Sequence, residues 1–580
     1  MMHKRFAQKK NESFEGRLRV VSFFIVLFAG VLVYRLADLQ VFASDELRAT
    51  ALRQYSTVRT LIPPRGIIYY TDRDSNTLYP LATNRMFNHL YAVPRDVKNV
   101  DAYTEALLPL LEPFGLTEET VRQRLGKPND IYEPLVHKLT DEQLKPFIDL
   151  ALPGIAWEDE DWRYYPEHDT LAQVVGFVGV RDNERVGQYG LEGEFEDELR
   201  GKEGLLEGAV DVTGRLIQSG PTQRQEPVQG IDFVLTIDRT IQGYVCDQLK
   251  QRVLEVAAES GQVVIVDPKS GAVLAMCSYP AFDPNNYGDV KDISVYLNPV
   301  IANGYEPGSI FKPMTLAGAI DADRITPETT YVDEGSVSIG GYVISNFDGI
   351  GRGEVNMIAV LEQSLNTGAM FAERQIGNDL FRSYVENFGF GRMTGIELGN
   401  ENSGDIRSLY KKSDIYFATP SFGQGITTTP IQMVMAYAAL ANGGTLMKPY
   451  IIKEKIRNGT VIERTQPEEV GKPVSLRAAT VMGGMLVSVI NEGYDNHGGV
   501  PGYYIAGKTG TAQVASGGRY VDKTIHSFAG YGPVDQPVFA MLIKLDYPKN
   551  GRFASSTAAP LFGAISKFLL TYFEVPPTVH

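Results

Sequence analysis

The sequence contains little cysteine, no excess of positive charge and no internal repetition. Its two cysteines, Cys246 and Cys277, could form one disulfide in an oxidising compartment, although two buried thiols are the expected state. The formal net charge is −15, and the folded part shows no basic patch, which excludes a nucleic-acid partner. The chain also has no repeat of about 20–50 residues and no low-complexity tract.

The overall composition is that of an ordinary globular protein, and the N-terminal end of the chain departs from it. Hydrophobic residues make up 43% and charged residues 22% of the 580 positions, and this length predicts two or three folded units. Residues 1–19 hold six basic and two acidic side chains, whereas residues 37–580 carry a net charge of −20. Between these regions, Val20–Tyr34 is an apolar run without charge.

This apolar run predicts a membrane anchor over residues 20–36. Its 15 uncharged residues would span roughly 22 Å as a helix, and the flanking arginines can snorkel to complete a bilayer core of about 30 Å. The alternative is a signal peptide cleaved near Val41–Ala43. Arg35 and Asp38 lie between the apolar run and that site, which disfavours processing. The positive-inside rule then predicts that residues 1–19 are cytoplasmic.

The region after the anchor, up to about residue 220, mixes short strands with helical segments. Asp101–Leu111 and Thr117–Leu125 have helical apolar spacing, and Thr140 is typical of a helix start. No spacing in this region indicates catalysis. We therefore interpret it as a non-catalytic spacer or docking domain.

Beyond Gly230, predicted strands lie at both ends of a region whose middle is mostly helical. The predicted strands are Asp232–Ile237, Gln262–Val266, Ala272–Ser278, Tyr503–Gln513, Ser527–Tyr531 and Val538–Asp546. An apolar helix, Ala558–Phe573, follows the last strand. The pattern predicts an α+β fold with one antiparallel sheet whose halves meet in space, flanked by helices.

A serine and a lysine form the first candidate for chemistry. Ser309 opens an apolar helix directly after a Pro-Gly pair, and Lys312 follows three residues later on the same face. A serine hydroxyl is a poor nucleophile without an adjacent base, and a partly desolvated lysine can be that base. A second S-x-x-K, Ser408–Lys411, lacks both the Pro-Gly pair and the apolar helix.

Two further motifs follow in the chain. Ser364-Leu365-Asn366 lies between two helix-like segments, where a hydroxyl and an amide can relay a proton and hold a substrate amide. Lys508–Thr511 lies on a predicted strand, where small residues let a substrate backbone approach the sheet edge. A decoy of this last motif, Lys269–Gly271, lies in a hairpin turn ahead of the serine. Each motif taken singly favours a structural role. The order of the three motifs and the secondary structure predicted around each of them together indicate a functional site.

The three motifs in this order resemble those of penicillin-binding proteins and serine β-lactamases. The resemblance covers nearly the whole chain beyond residue 20, and Tyr305–Gly308 favours the cell-division, FtsI-like branch over the elongation branch. Other segments similar to class B penicillin-binding proteins are Pro63–Ile68, Arg163–Pro166, Gly190–Gly193, Leu199–Gly201, Ser421–Gly425, Thr429–Gln432 and Ala439–Gly444. No glycosyltransferase segment and no PASTA-type repeat is recognised, so the resemblance implies a monofunctional transpeptidase.

The resemblance implies a domain organisation. It consists of a cytoplasmic tail (1–19), a transmembrane anchor (20–36), a dimerisation-type pedestal domain (37–225) and a transpeptidase domain (226–580). The transpeptidase domain is expected to contain a five-stranded antiparallel sheet flanked by helices, as in serine β-lactamases. The protein is expected to cross the cell membrane once, with its catalytic domain extracytoplasmic.

The resemblance also implies the roles of individual residues. Ser309 is expected to attack the carbonyl between the two terminal D-alanines of a peptidoglycan stem peptide, while Lys312 takes its proton. Ser364 and Lys508 are expected to pass that proton to the departing D-alanine, after which an amine of a neighbouring stem attacks the acyl-enzyme. Backbone N–H groups of Ser309 and Thr511 are expected to form the oxyanion hole. The expected substrate-binding residues are Asn366, Thr509, Gly510 and Thr511.

This chemistry requires no cofactor and no metal. None of the seven histidines is placed as a triad base, and His526, on a predicted strand, is expected to be structural. The expected partners are stem peptides, β-lactams, the membrane, and a glycosyltransferase with other cell-wall proteins.

Three other functions share part of the pattern. A β-lactamase or D,D-carboxypeptidase transfers the acyl group to water, but the large domain ahead of the catalytic region disfavours both. A transmembrane antibiotic receptor is expected to have several spans and an H-E-x-x-H protease, which the sequence lacks. A division scaffold that has lost its chemistry is disfavoured by the intact motifs.

Overall fold

The computed structural model describes residues 3–44, 56–73, 75, 77–182, 184–209, 222–494, 496–516 and 519–578. Parts of the predicted pedestal domain, residues 45–55 and 210–221, lie outside the described residues. The chain divides into two compact units, one of residues 1–63 and 201–228 and one of residues 64–200 and 229–580. The domain limits at residues 37 and 225 stay predictions.

The first unit contains a long apolar helix and a small sheet. The helix His3–Ala37 continues into a π-helical turn, Asp38–Phe42. The stretch Gly16–Phe42, which includes the π-helical turn and has a mean hydropathy of 2.3, is the one candidate membrane span among the described residues. The large apolar side chains of this stretch are exposed, as a lipid-facing helix requires. The antiparallel sheet consists of Ser56–Leu61, Gly204–Ala209 and Thr222–Gln225.

A seven-stranded sheet begins the second unit. Six of its strands lie in the order Thr460–Arg464, Ile452–Arg457, Asp232–Asp238, Ile68–Thr71, Leu78–Ala92 and Glu133–Leu139, and Ile155–Tyr164 also pairs with Leu78–Ala92. The strand predicted at Asp232–Ile237 is therefore present but belongs to this sheet, where it runs parallel to Ile68–Thr71. The strands Phe177–Arg181 and Glu184–Gln188 form a separate hairpin.

Three helices, Val100–Leu111, Glu118–Leu125 and Asp141–Asp149, pack with the end of this sheet around a separate apolar core. The hydroxyl groups of Thr117 and Thr140 accept hydrogen bonds from backbone N–H groups three residues later, so both threonines are N-caps. These helices therefore confirm the predicted starts. Shorter helices are Ala172–Val175, Gly190–Glu194 and Glu196–Arg200.

Three of the segments that carry the family resemblance meet in one buried ion cluster. Arg65 and Arg163 each donate from Nε to the carboxylate of Glu192 at 2.6 Å, and Glu192 has no exposed surface. Burial alone would raise the pKa of Glu192, but Arg163 and Arg65 hold it below its ordinary value. Arg65 also pairs with Glu196 at 2.6 Å. The charged groups of these three segments thus form a buried ion cluster, in which they contact each other.

The predicted five-stranded antiparallel sheet is present. In chain order its strands are β1 (Ser260–Val266), β2 (Val273–Tyr279), β3 (Ala506–Ser516), β4 (Arg519–Gly532) and β5 (Phe539–Asp546). Their spatial order is β2-β1-β5-β4-β3, which leaves β3 at an edge. Alternate residues of β5 enter different apolar cores: Leu542 enters one, and Met541 and Ile543 enter the other. Both faces of the sheet are therefore covered.

Helices Arg239–Glu255 and Ala554–Tyr572 contribute to one of these cores, and Pro430–Ala441 to the other. The helical region between β2 and β3 includes α1 (Lys312–Asp321) and α2 (Asn366–Ile376). Its other helices are Pro299–Ala302, Met357–Glu362, Asn378–Asn387, Ile415–Ala418 and Leu476–Glu492. It also contains three two-stranded sheets: Thr330–Asp333 with Gly353–Asn356, Ser336–Ile339 with Tyr342–Ser345, and Leu446–Met447 with Glu469–Gly471.

The two cysteines form a disulfide, so the expectation of two buried thiols is wrong. Helix Arg239–Glu255 packs against β2 and brings the Cα atoms of Cys246 and Cys277 to 5.5 Å, a separation that a disulfide can bridge. The two residues are 31 positions apart in the chain. Their proximity results from this packing, which no local pattern in the sequence shows.

Candidate active site

The Ser309 turn is held between β3 and a neighbouring loop. Ser309 lies in a 3-10 turn, Gly308–Phe311, which leads directly into α1. Gly308 has a φ of +58°, and its N–H donates to the carbonyl of Gly423 at 3.0 Å. A side chain at position 308 would meet the Cβ of Ala512 at 3.1 Å. The Pro-Gly entry thus allows the serine turn to approach the sheet closely.

Lys312 is the first residue of α1 and is fully buried. Its Nζ donates to the carbonyl oxygen of Ser364 at 2.5 Å and to the Ser364 hydroxyl at 3.2 Å. Burial, and then the positive charge of Lys508, lower the pKa of Lys312 well below its ordinary value. The environment therefore favours the neutral amine, which is the form that can accept a proton.

Ser364 lies at the junction between helix Met357–Glu362 and α2. Its φ of +55° is in the left-handed region, which a non-glycine residue adopts only at an energetic cost. This conformation places a hydroxyl beside the Lys312 amine. Asn366, the first residue of α2, donates from Nδ2 to the carbonyl of Ser345 at 2.9 Å.

The start of α2 is positioned by a buried network that the motif analysis did not identify. The Oδ1 atom of Asn346 accepts the N–H groups of Asn366 and Thr367 at 2.9 and 3.2 Å. Asn346 in turn donates to Asp333 at 3.0 Å, and the Thr367 hydroxyl donates to the same carboxylate at 2.7 Å. Backbone N–H groups of Gly335 and Arg352 also donate to Asp333. Ser364, Leu365 and Asn366 are adjacent in sequence, whereas Asp333 lies on a separate strand. The sequence around the motif therefore does not indicate the role of Asp333.

The K-T-G motif lies on β3, at the predicted sheet edge. Lys508 is almost fully buried. A Cβ on Gly510 would lie 2.7 Å from the Ser527 hydroxyl and 3.0 Å from the carbonyl oxygen of Pro307. Glycine is therefore required for the close packing of β3 against the serine turn. The Thr511 hydroxyl accepts the N–H of Ala554 at 3.1 Å.

One cleft of about 1200 Å³ brings the motifs together. Five of the eight predicted site residues line it: Ser309, Ser364, Asn366, Thr509 and Thr511. Of the other three, Lys312 contacts Ser364, Lys508 acts electrostatically on Lys312, and Gly510 packs beside the serine turn. Three distant parts of the chain thus place two serine hydroxyls and a strand edge around one space, with the Lys312 amine in contact with one of the hydroxyls.

The two decoy motifs have other surroundings. Ser408 lies in a 3-10 turn, and the Nζ of Lys411 lies over the ring of Tyr416 at 4.4 Å. The decoy Lys269–Gly271 lies in the turn between β1 and β2, where the Ser270 hydroxyl donates to Asp267 at 2.6 Å. Neither decoy is among the residues that line the cleft.

His526 is buried on β4, opposite Thr511 in register. Its Nδ1 and Nε2 lie 2.8 and 3.0 Å from the hydroxyl groups of Thr557 and Thr524. Burial lowers its pKa to about 4, which favours the neutral ring at physiological pH. These contacts agree with the structural role expected for this residue.

Comparison with known proteins identifies the family. Residues 261–567 match the penicillin binding protein transpeptidase domain, and residues 60–235 match the penicillin-binding protein dimerisation domain. The transpeptidase match covers more than half of the chain. The chain therefore belongs to the penicillin-binding proteins, and its pair of domains is that of the class B members.

Individual relatives resemble the chain over most of its length. Stage V sporulation protein D of Bacillus subtilis is 32% identical, with 96% of this chain and 86% of the relative covered. Peptidoglycan D,D-transpeptidase FtsI of Escherichia coli is 29% identical, with coverages of 95% and 91%. The crystal structure of penicillin binding protein 3 from Mycobacterium tuberculosis complexed with aztreonam superposes with a TM-score of 0.68 at 26% identity, covering 90% of this chain and 99% of that one.

Proposed function

We propose that this protein is a peptidoglycan D,D-transpeptidase of cell-wall synthesis that works through an acyl-enzyme on Ser309. The observation that carries the proposal is the position of Lys312, which is buried next to the Ser364 hydroxyl and within the field of Lys508. Relatives of this chain are named peptidoglycan D,D-transpeptidases, which supports the choice of substrate.

In the first half-reaction, neutral Lys312 takes the proton of the Ser309 hydroxyl. The Ser309 oxygen bonds to the carbonyl carbon between the terminal D-alanines, and the bond from this carbon to the D-alanine nitrogen breaks. The proton passes through the Ser364 hydroxyl and Lys508 to the leaving amine. Backbone N–H groups of Ser309 and Thr511 stabilise the charge on the carbonyl oxygen.

In the second half-reaction, the amine of a neighbouring stem attacks the ester carbon. The bond to the Ser309 oxygen breaks, and the proton lost by the amine returns to that oxygen. Asn366 holds the donor amide, and Thr509 and Thr511, beside Gly510, hold the donor carboxylate. Because Thr511 already accepts the Ala554 N–H, its own hydroxyl hydrogen can be directed to the carboxylate.

We also propose that the catalytic domain lies outside the cytoplasm. The basic residues before the anchor helix support a cytoplasmic N-terminus. The Cys246–Cys277 disulfide supports the same orientation, because disulfides persist in oxidising compartments. A glycosyltransferase and other cell-wall proteins are the proposed partners.

The division branch is proposed from Tyr305–Gly308 and from the relatives named FtsI. A fluorescent fusion should concentrate at midcell during septation. Uniform placement along the side wall would instead support an elongation role.

The proposed nucleophile can be tested by mass spectrometry of the full chain in detergent after exposure to labelled penicillin. A stable adduct should map to Ser309 and be absent from Ser309→Ala. Ser408→Ala, in the decoy motif, should keep the adduct. An adduct on any other residue, or rapid release of hydrolysed penicillin, would overturn the proposal, the latter in favour of a β-lactamase.

A further inference from the structure

Two phenylalanine side chains meet at the cleft. Phe347 lies in the loop between strands Tyr342–Ser345 and Gly353–Asn356, and Phe553 directly precedes the helix Ala554–Tyr572. Their ring centroids are 5.9 Å apart and their planes are inclined by 75°, an edge-to-face arrangement. Both residues line the cleft that contains Ser309. We call them the aromatic pair.

The aromatic pair joins the helical wall of the cleft to its sheet wall. Asn346, which precedes Phe347, accepts the N–H of Asn366 at 2.9 Å. Ala554, which follows Phe553, donates its N–H to Thr511 at 3.1 Å. Each ring is therefore one residue away from a group that contacts a proposed substrate-binding residue.

The two rings of the aromatic pair are exposed enough to move apart. Phe347 is 61% and Phe553 is 39% exposed, and the Arg552 guanidinium also lies 5.1 Å from the centroid of the Phe553 ring. Phe347 is therefore the more loosely packed of the two rings. An aromatic contact of this kind favours the closed arrangement by a factor of roughly 2 to 10. The arrangement in which the two rings touch can thus be the major one in the free enzyme, and a peptide that binds in the cleft can still separate the rings.

We propose that the aromatic pair determines the choice of acceptor by shielding the Ser309 ester from water. This inference rests on the proposed function. The ester can react in two ways, by hydrolysis or by aminolysis. A water oxygen can attack the carbonyl carbon, break its bond to the Ser309 oxygen and leave a free carboxylic acid; an amine nitrogen can attack the same carbon and leave an amide. In either case the attacking group returns one proton to the Ser309 oxygen.

The pair slows hydrolysis because its two apolar rings line the same cleft as the ester and keep unbound water out of it. An acceptor stem peptide can displace the rings, since its own contacts with the cleft replace the single contact between them. The pair therefore raises the ratio of cross-linking to hydrolysis. It does not change the attack of Ser309 on the donor.

The test uses the full chain in detergent, with a thioester analogue of the stem peptide as donor and a second stem peptide that carries a free side-chain amine as acceptor. Phe347→Ala and Phe553→Ala should each lower the ratio of amide to acid product by about 5- to 10-fold, and hydrolysis of a benzylpenicillin adduct should accelerate by a similar factor. The double variant should be no worse than either single variant, because each removes the same contact. Phe553→Tyr keeps the ring and should keep the parent ratio.

Tyr342→Ala is the matched control. Tyr342 lies on the hairpin next to the Phe347 loop and is 65% exposed, but it is not among the residues that line the cleft. If the parent protein forms no adduct on Ser309, the proposed function fails and the inference fails with it. If the adduct forms but neither alanine variant changes the product ratio, or Tyr342→Ala changes it equally, the inference alone is overturned.

Discussion

At the scale of the residue, the proposed mechanism depends on the protonation state of Lys312. The amine is buried, and its pKa is lowered first by that burial and then by the nearby charge of Lys508. Because only the neutral amine can accept the Ser309 proton, acylation should fall as the pH drops through the lowered pKa. Besides the proton transfer proposed for it, the charge of Lys508 lowers the pKa of Lys312 and so favours the neutral amine.

Lys508→Gln removes this charge while keeping a side chain of similar length. The pKa of Lys312 should rise, so the acidic limb of the pH profile for acylation should move to higher pH, in addition to a loss of rate. The measurement is the second-order rate of acylation by a fluorescent penicillin, followed from roughly pH 5 to pH 10. Lys411→Gln, in the decoy motif, should leave the limb in place. A limb that stays in place or moves to lower pH in Lys508→Gln would contradict this role.

The sequence predicted which residues meet because three short motifs occur in a known order. It could not show that Ser364 adopts a φ of +55° or that its carbonyl accepts a hydrogen bond from Lys312. Both features depend on how two helices meet. The Asp333–Asn346 network was missed for the same reason, since its members lie outside the motifs and act through tertiary contacts.

At the scale of the element, the N-terminus of α2 is held in place by the Asp333 carboxylate. Asp333 accepts hydrogen bonds from the side chains of Asn346 and Thr367 and from two backbone N–H groups. Asn346 then accepts the first N–H groups of α2. The position of Asn366 in the cleft thus depends on a strand that contributes no motif residue.

Asp333→Asn should loosen the start of α2, because an amide places a donor among groups that all donate. The free energy of unfolding should fall by about 2 kcal/mol, and the acylation rate should fall by about 10-fold even at temperatures where the variant is folded. Stopped-flow acylation and urea unfolding of the same preparation separate the two effects. Asp348→Asn is the control, because Asp348 lies in the loop that contains Asn346 but contacts Arg352 instead. This variant should change neither the free energy of unfolding nor the acylation rate by much. Loss of stability with a normal acylation rate would show that Asp333 has no positioning role.

The elements were predictable where the local pattern is strong. Each of the five strands of this sheet was found within a few residues of its predicted bounds, except β4, which begins eight residues earlier than predicted. The pairing of Asp232–Asp238 with Ile68–Thr71 was not predictable, because it joins strands more than a hundred residues apart. The disulfide was missed because it depends on how helix Arg239–Glu255 packs against β2, although the two cysteines are only 31 positions apart.

At the scale of the whole molecule, residues ahead of the catalytic sheet are stabilised by a buried ion cluster. Glu192 is paired with both Arg65 and Arg163 and has no exposed surface. Such a cluster contributes less to stability than its short distances suggest, because all three charges lost their water. Breaking it is costly, since the remaining charges stay buried.

Glu192→Gln leaves two guanidinium groups with reduced compensation. The free energy of unfolding should fall by about 3–5 kcal/mol, measured by urea denaturation of the full chain in detergent. Glu184→Gln is the control, because Glu184 forms an exposed pair with Arg200 at 3.4 Å that should contribute about 1 kcal/mol or less. Acylation of Ser309 per folded molecule should be normal in both variants. Equal stability of the two variants would show that the buried cluster is unimportant.

The central claim is that Ser309 carries the acyl group of a peptidoglycan donor. The most direct measurement is rapid-quench mass spectrometry of the full chain with a stem pentapeptide ending in D-alanyl-D-alanine. We expect an adduct on Ser309 whose mass equals that of the tetrapeptide acyl group, with one D-alanine released for each adduct and no adduct in Ser309→Ala. Release of D-alanine by Ser309→Ala at the parent rate would contradict the account.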